Sequence, residues 1–169
     1  MKTKRYLILF TMMLILFISC KKDNSISPEE LLEWNKKIAV AYVHSFAVSI
    51  GEAVIEMTDD STKINYIRRA IDPISFYPDN SGYFYVYDFD CVNIAHARQK
   101  DLQGQNLYNY IDSRGKFVIR DLSSMAQLGG GYVEFYWIKP GDTGEKKKLG
   151  YVESIPNTNF FIGTGVYLE

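Results

Sequence analysis

The sequence has little of what most enzyme sites are built from: of its 169 residues two are histidine and two are cysteine. His44 and His96 stand far apart, with no Cys or Asp beside them at metal-ligand spacing, so no metal site is expected. There is no nucleophile elbow, no HExxH helix, no Walker loop and no dinucleotide fingerprint. A small enzyme would therefore have no visible catalytic set, and no cofactor is expected. A basic excess is missing too. The formal net charge is -1, and it becomes more negative without residues 1–19, because Lys2, Lys4 and Arg5 leave with them and no acid does. Nucleic acid is not an expected partner. Disorder is excluded by what is abundant, since 47% of residues are hydrophobic and 15% aromatic, enough to form a core. The length fits one domain.

The N-terminus carries the strongest local signal. Lys2, Lys4 and Arg5 lead into an apolar run over residues 6–18 that stops at Ser19 and Cys20. This reads as a secretory signal peptide over 1–19, and the run falls short of the roughly 20 residues that span a bilayer comfortably. The small residue before Cys20 makes a lipobox-like end, so Cys20 is the expected lipidation site and 20–27 the tether. The alternative is an uncleaved membrane helix with Cys20 incidental. Phe17 stands where Leu is usual, and Lys21 rather than Asp sits directly after Cys20. Once Cys20 is acylated, Cys91 has no partner, so no disulfide is expected. A small buried hydrophobe is the simpler role for Cys91, a reactive thiol the other.

Ser27, Pro28 and Glu30 form a helix start: a capping oxygen, a proline at the first helical position and a capping-box acid. Leu31, Trp34, Ile38, Tyr42, Phe46, Ile50, Ala53 and Met57 then recur at helical spacing as one apolar stripe, predicting a helix roughly 45 Å long. A second helix fits 61–71, ended by Asp72 and Pro73. From Gly82 the period becomes two, predicting strands over 82–88 and 92–97. A helix marked by Val118, Leu122 and Met125 is closed by Gly129, Gly130 and Gly131, and strands follow over 132–138, 147–155 and 160–168. Helices first and strands afterwards argue for an α+β fold with an antiparallel sheet.

Among polar residues, His44 lies off the helical stripe and reads as a packing residue. His96 ends a predicted strand beside Arg98, in a sheet where Tyr85, Trp137 and Tyr151 supply aromatic surface. It is equally a ligand contact or a satisfied structural histidine. Lys148 belongs to the run 145–148 after a turn, where a solvated hairpin end is the plain alternative. Strict alternation places Lys148 and Tyr151 on opposite faces of one strand unless a bulge intervenes.

Six stretches in order carry a family resemblance over residues 28–169: Gly82-Tyr83-Phe84-Tyr85-Val86-Tyr87-Asp88, Ile94-Ala95-His96, Leu102-Gln103-Gly104-Gln105-Asn106-Leu107, Gly130-Gly131-Tyr132-Val133-Glu134-Phe135-Tyr136-Trp137, Lys148-Leu149-Gly150-Tyr151-Val152 and Ile162-Gly163-Thr164-Gly165-Val166-Tyr167. With a long helix ahead of them, they resemble a single-Cache sensor domain. The resemblance implies a PAS-like fold, a long N-terminal helix packed on a curved antiparallel sheet, and an extracytoplasmic sensing role. Many such domains bind a small ligand such as a short carboxylate. It further implies that His96 and Lys148 hold the carboxylate while Tyr85, Trp137 and Tyr151 wall the organic part. Cys91 stands where the hairpin commonly has Gly, and Ala97 where Pro is usual. The expected protein is a lipid-anchored sensing module read by a separate membrane receptor or sensor kinase. The alternative is an envelope scaffold lipoprotein with an unused pocket.

Overall fold

The computed structural model describes residues 26–168. Helix α1 spans Pro28–Val54 and opens on the expected capping box: Ser27 Oγ accepts from the Glu30 amide at 3.2 Å and Glu30 Oε2 accepts from the Ser27 amide at 3.0 Å. Helix α2 spans Asp60–Ile71, capped by Asp59, whose Oδ1 accepts from the Thr62 amide. Five strands follow, β1 (Tyr85–Asp88), β2 (Asn93–His96), β3 (Gly131–Ile138), β4 (Glu145–Ser154) and β5 (Phe160–Tyr167), with α3 (Val118–Gln127) between β2 and β3. They make one antiparallel sheet in the order β2-β1-β5-β4-β3. This is the expected α+β arrangement, with the long N-terminal helix packed on the sheet. The signal-peptide reading, Cys20 and most of the tether fall outside the described residues.

Period-two alternation sorts the sheet into two apolar faces. Phe84, Val86, Phe160 and Ile162 point to the side covered by α1 and α2, where they meet Val43, Ile50, Ile67 and Ile71. Tyr83, Tyr85, Tyr87, Val133, Phe135, Trp137 and Phe161 point to the other side, closed by Val118, Ile119 and Leu122 of α3. The sheet therefore lies between two layers, and the second layer contains the candidate site.

The helical stripe differs from expectation. α1 buries Ala39, Val43, Ala47, Ile50, Gly51 and Val54, while Leu31, Trp34 and Tyr42 are exposed. Small side chains decide the rotation: a Cβ on Gly51 would stand 2.7 Å from the Pro156 carbonyl oxygen, so only a narrow face lets the helix backbone approach the sheet. The first turns of α1 are held from outside instead, by Tyr77 and Tyr132 hydroxyls donating to the Asn35 and Lys36 carbonyls.

Strand limits also shift at two places. Residues 82–84 precede β1, with Gly82 bridged to Phe76, and β4 begins at Glu145 because its pairing with β3 continues to Ile138. Cys91 turns the first hairpin with φ +67°, a left-handed conformation that favours glycine.

Phe84 is fully buried between the sheet and α1, its ring 4.5 Å from Phe46 and 5.6 Å from Phe76. Phe84→Ala should lower unfolding stability by about 3–5 kcal/mol, read as a fall in denaturant midpoint at unchanged slope. A loss below about 1 kcal/mol would contradict this packing.

Candidate ligand-binding site

The feature that distinguishes the second layer is a lysine with no access to water. Lys148 is 1% exposed although it ends a run of charged residues. Register explains this. Lys148 lies opposite Phe135 on one side and Tyr167 on the other, both on the inward face, whereas its neighbour Lys147 points away and pairs with Glu134 at 2.9 Å. The Lys148 ammonium sits 3.9 Å from the ring centre of Tyr83, 4.8 Å from that of Tyr167 and 5.4 Å from that of Tyr85. Aromatic faces attract a cation but do not neutralise it. Among the described residues no Asp or Glu forms an ion pair with it. Burial accordingly drives its pKa well below the ordinary value.

His96, also 1% exposed, lines the same cavity. Its Nδ1 accepts from the backbone amides of Gln99 at 2.9 Å and Arg98 at 3.3 Å. The ring proton is therefore assigned to Nε2, which makes that nitrogen a donor in the neutral ring. Burial, and after it the charge of Lys148, lowers the His96 pKa to about 3. The ring is stacked between Tyr85 and Trp137, with interplanar angles of 24° and 22°. Trp137 is fixed by its Nε1 donating to Gln99 Oε1 at 2.7 Å.

A chain of hydroxyls holds the lysine cage. Tyr167 donates to the Ile138 carbonyl at 2.7 Å, so Tyr83, 3.1 Å away, donates to Tyr167. Tyr85 donates to the Thr164 carbonyl at 3.3 Å. Burial raises Tyr83 and Tyr85 well above the usual phenol range, which keeps both as donors. Two glycines clear the space these rings occupy: a Cβ on Gly163 would meet Tyr85 at 2.5 Å, and one on Gly150 would meet Phe135 at 2.7 Å and the Tyr85 hydroxyl at 2.8 Å.

Of the five residues singled out from sequence, the structure brings four together around one cavity: Tyr85, His96, Trp137 and Lys148. Tyr151 is elsewhere. Alternation along β4 puts it on the α1 face, where its ring stands 4.9 Å from Tyr132 and its hydroxyl donates to Glu153 at 2.7 Å. No bulge interrupts β4 between Lys148 and Tyr151, so it cannot wall this cavity. Sequence reasoning missed Tyr83 and Tyr167, although Tyr83 shares the period of two with Tyr85. It also missed Phe135 and the lid residues Val118, Ile119 and Leu122. The cavity itself measures about 10 Å³, room for about one water molecule.

His96 gives this site a pH signature. Its pKa is depressed on folding, so the unfolded chain binds the extra proton between pH 6.5 and about 3. The His96 contribution to stability is then complete above pH 6.5 and falls with acid across that window, by up to about 5 kcal/mol. His96→Asn keeps an acceptor for the Arg98 and Gln99 amides and removes the titration. Its stability measured by urea unfolding should fall less steeply below pH 6.5 than that of the native chain. Parallel curves would show that His96 titrates normally.

A family model described as a Cache domain (dCache_2) matches residues 2–169. The sensor histidine kinase MctS of Rhizobium johnstonii is 31% identical over 136 residues, covering 79% of this chain and 29% of MctS, so the chain spans less than a third of that relative's length. Among solved structures, a methyl-accepting chemotaxis protein from Vibrio parahaemolyticus is 30% identical with a TM-score of 0.72, covering 83% of this chain and 93% of that one. A Cache chemosensory domain solved to explain its carboxylic acid recognition shares the fold at a TM-score of 0.71 and 22% identity, covering 85% of this chain and all of that one. Cache domains are periplasmic or extracytoplasmic sensors of membrane proteins. With the two-layered sheet and its enclosed site, these likenesses place the chain in the Cache domain family, as an extracytoplasmic ligand-sensing domain.

Proposed function

We propose that this chain is a single Cache module that senses a short carboxylate, bound between the Lys148 ammonium and the Nε2–H of His96. The observation that carries the reading is the buried lysine without a carboxylate partner. An anion is what such a group lacks, and charge-assisted hydrogen bonds to it are the strong ones. Tyr85 and Trp137 would wall the organic part. The carboxylic acid recognised by the related chemosensory domain supports the same class. A ligand of four heavy atoms gains at best about -6 kcal/mol, a dissociation constant of tens of micromolar, which suits an environmental sensor.

Size makes binding a conformational event. A carboxylate is several times larger than the present cavity, so Ile119 and Leu122 of α3, or the rings opposite them, must move to admit it. Tyr167 lines the cavity layer and also the groove where Leu168 meets Pro28 and Leu32 at the start of α1. Expansion would thus reach the start of α1. A ligand that favours the expanded form shifts the population toward it. Held to a membrane through acylated Cys20, the domain would present that shift to a separate membrane receptor or sensor kinase. Its small cavity favours a second reading, an envelope scaffold with an unused pocket.

Calorimetry on the full chain in detergent separates the two. Acetate or propionate should bind the native chain with a dissociation constant between tens of micromolar and about 1 mM, and Lys148→Met should weaken binding at least tenfold. That variant should melt no lower than native, because an apolar side chain of similar length replaces an uncompensated buried charge. Equal affinity in native and variant would remove Lys148 from the site. Absence of any bound short acid would leave the scaffold.

A further inference from the structure

The sensing reading uses Lys148 and His96 and leaves a buried polar group unexplained beside Tyr87, which lines the same cavity. Asn93 is fully buried, and neither its Nδ2 nor its Oδ1 has a hydrogen-bond partner among the described residues. Native interiors rarely leave an amide in that condition. Its backbone is satisfied, donating to Gln105 and accepting from Gly104, so the deficit is confined to the side chain.

A strand irregularity aims it inward. Val86 lies opposite Ala95 and Tyr87 opposite Asn93, so Ile94 is an extra residue in β2. Without that bulge, Asn93 and His96, three apart, would face opposite ways. With it, Ile94 and Ala95 both pack on the α1 face, while Asn93 shares the face of its cross-strand partner Tyr87, a cavity residue. The amide is close enough to Tyr87 to offset part of the rise that burial imposes on that phenol, but no hydrogen bond of full geometry joins them.

From the segment before β1 into the strand, three levels therefore follow one another: Tyr83 beneath the lysine, Tyr85 beside His96 and Tyr87 beside Asn93. The last two levels are about 7 Å apart. A carboxylate held at Lys148 and His96 would direct its hydrocarbon toward Tyr87, and an oxygen on its third or fourth carbon would come within hydrogen-bonding reach of the amide. An amide both donates and accepts, as a hydroxyl does, and it carries no charge to match a second carboxylate.

We propose that Asn93 is a specificity residue that reads a remote uncharged oxygen on the ligand, so that the preferred ligand is a short 3- or 4-hydroxy acid rather than the plain acid. This deepens the carboxylate reading and rests on it. Binding of the plain acid would leave the amide unpaired beside a methyl group, whereas the hydroxy acid satisfies it.

The test compares butyrate, 3-hydroxybutyrate and 4-hydroxybutyrate by calorimetry on the full chain in detergent, with native protein and Asn93→Leu. The native chain should prefer at least one hydroxy acid over butyrate by about tenfold or more, and Asn93→Leu, which keeps the volume and removes the amide, should abolish or invert that preference. Equal native affinity for all three would overturn the role of Asn93, the amide then being met by a buried water, and would leave the carboxylate reading standing. A preference that survives in Asn93→Leu would also overturn it. If no acid binds, including acetate and propionate, both readings fall. The native comparison decides the matter even where the variant does not fold.

Discussion

An ammonium group held out of water without a carboxylate is the constraint around which this domain is arranged. Lys148 lies under three tyrosine rings. The rings supply electron-rich faces at 3.9–5.4 Å. The nearby imidazole is kept neutral by its own burial first and by the charge of Lys148 second. The hydroxyl chain from Tyr83 through Tyr167 to Ile138 fixes the cage against rotation. A protein gains nothing in stability from such a lysine relative to an apolar residue of equal volume. A buried lysine without a counter-charge is what the proposed anion recognition would use.

The fold was largely legible because its faces alternate cleanly. Tyr83, Tyr85 and Tyr87 against Phe84 and Val86 announce a strand apolar on both sides, and a strand of that kind needs two covering layers. Ser27, Pro28 and Glu30 announce the start of α1. The stripe on that helix was misjudged because apolar size was counted rather than fit: Trp34 and Leu31 are larger than Ala39 and Gly51, yet only the small residues let the helix settle on the sheet. Tyr85 and Trp137 point to the same face of the sheet and line one cavity. Tyr151 was grouped with them from aromatic character although parity already argued against it, and the uninterrupted pairing of β4 settles its place on the far face.

Two things could not be read from the chain. The inward turn of Lys148 depends on the register that β4 takes with β3 and β5, which lies in the pairing and not in the run of lysines. The bulge at Ile94, which brings Asn93 and His96 to one face, leaves no local signature, since neither glycine nor proline marks it. Both are tertiary decisions that move side chains between faces by one residue of slippage. They are also the two that build the site. Tyr167 belongs both to the lysine cage and to the groove that it lines with Pro28 and Leu32 at the start of α1.

Ionisation of Lys148 itself tests the central claim most directly. Carbon-13 labelling at lysine Cε, with Lys148→Met to assign the signal, follows its titration by NMR in the full chain with and without propionate. The account predicts a midpoint far below the ordinary value of 10.5 in the free protein, rising when the acid is added because the carboxylate supplies the missing counter-charge. A midpoint near 10.5 in both conditions, unmoved by the acid, would show that Lys148 is neither buried as a charge nor the ligand's partner.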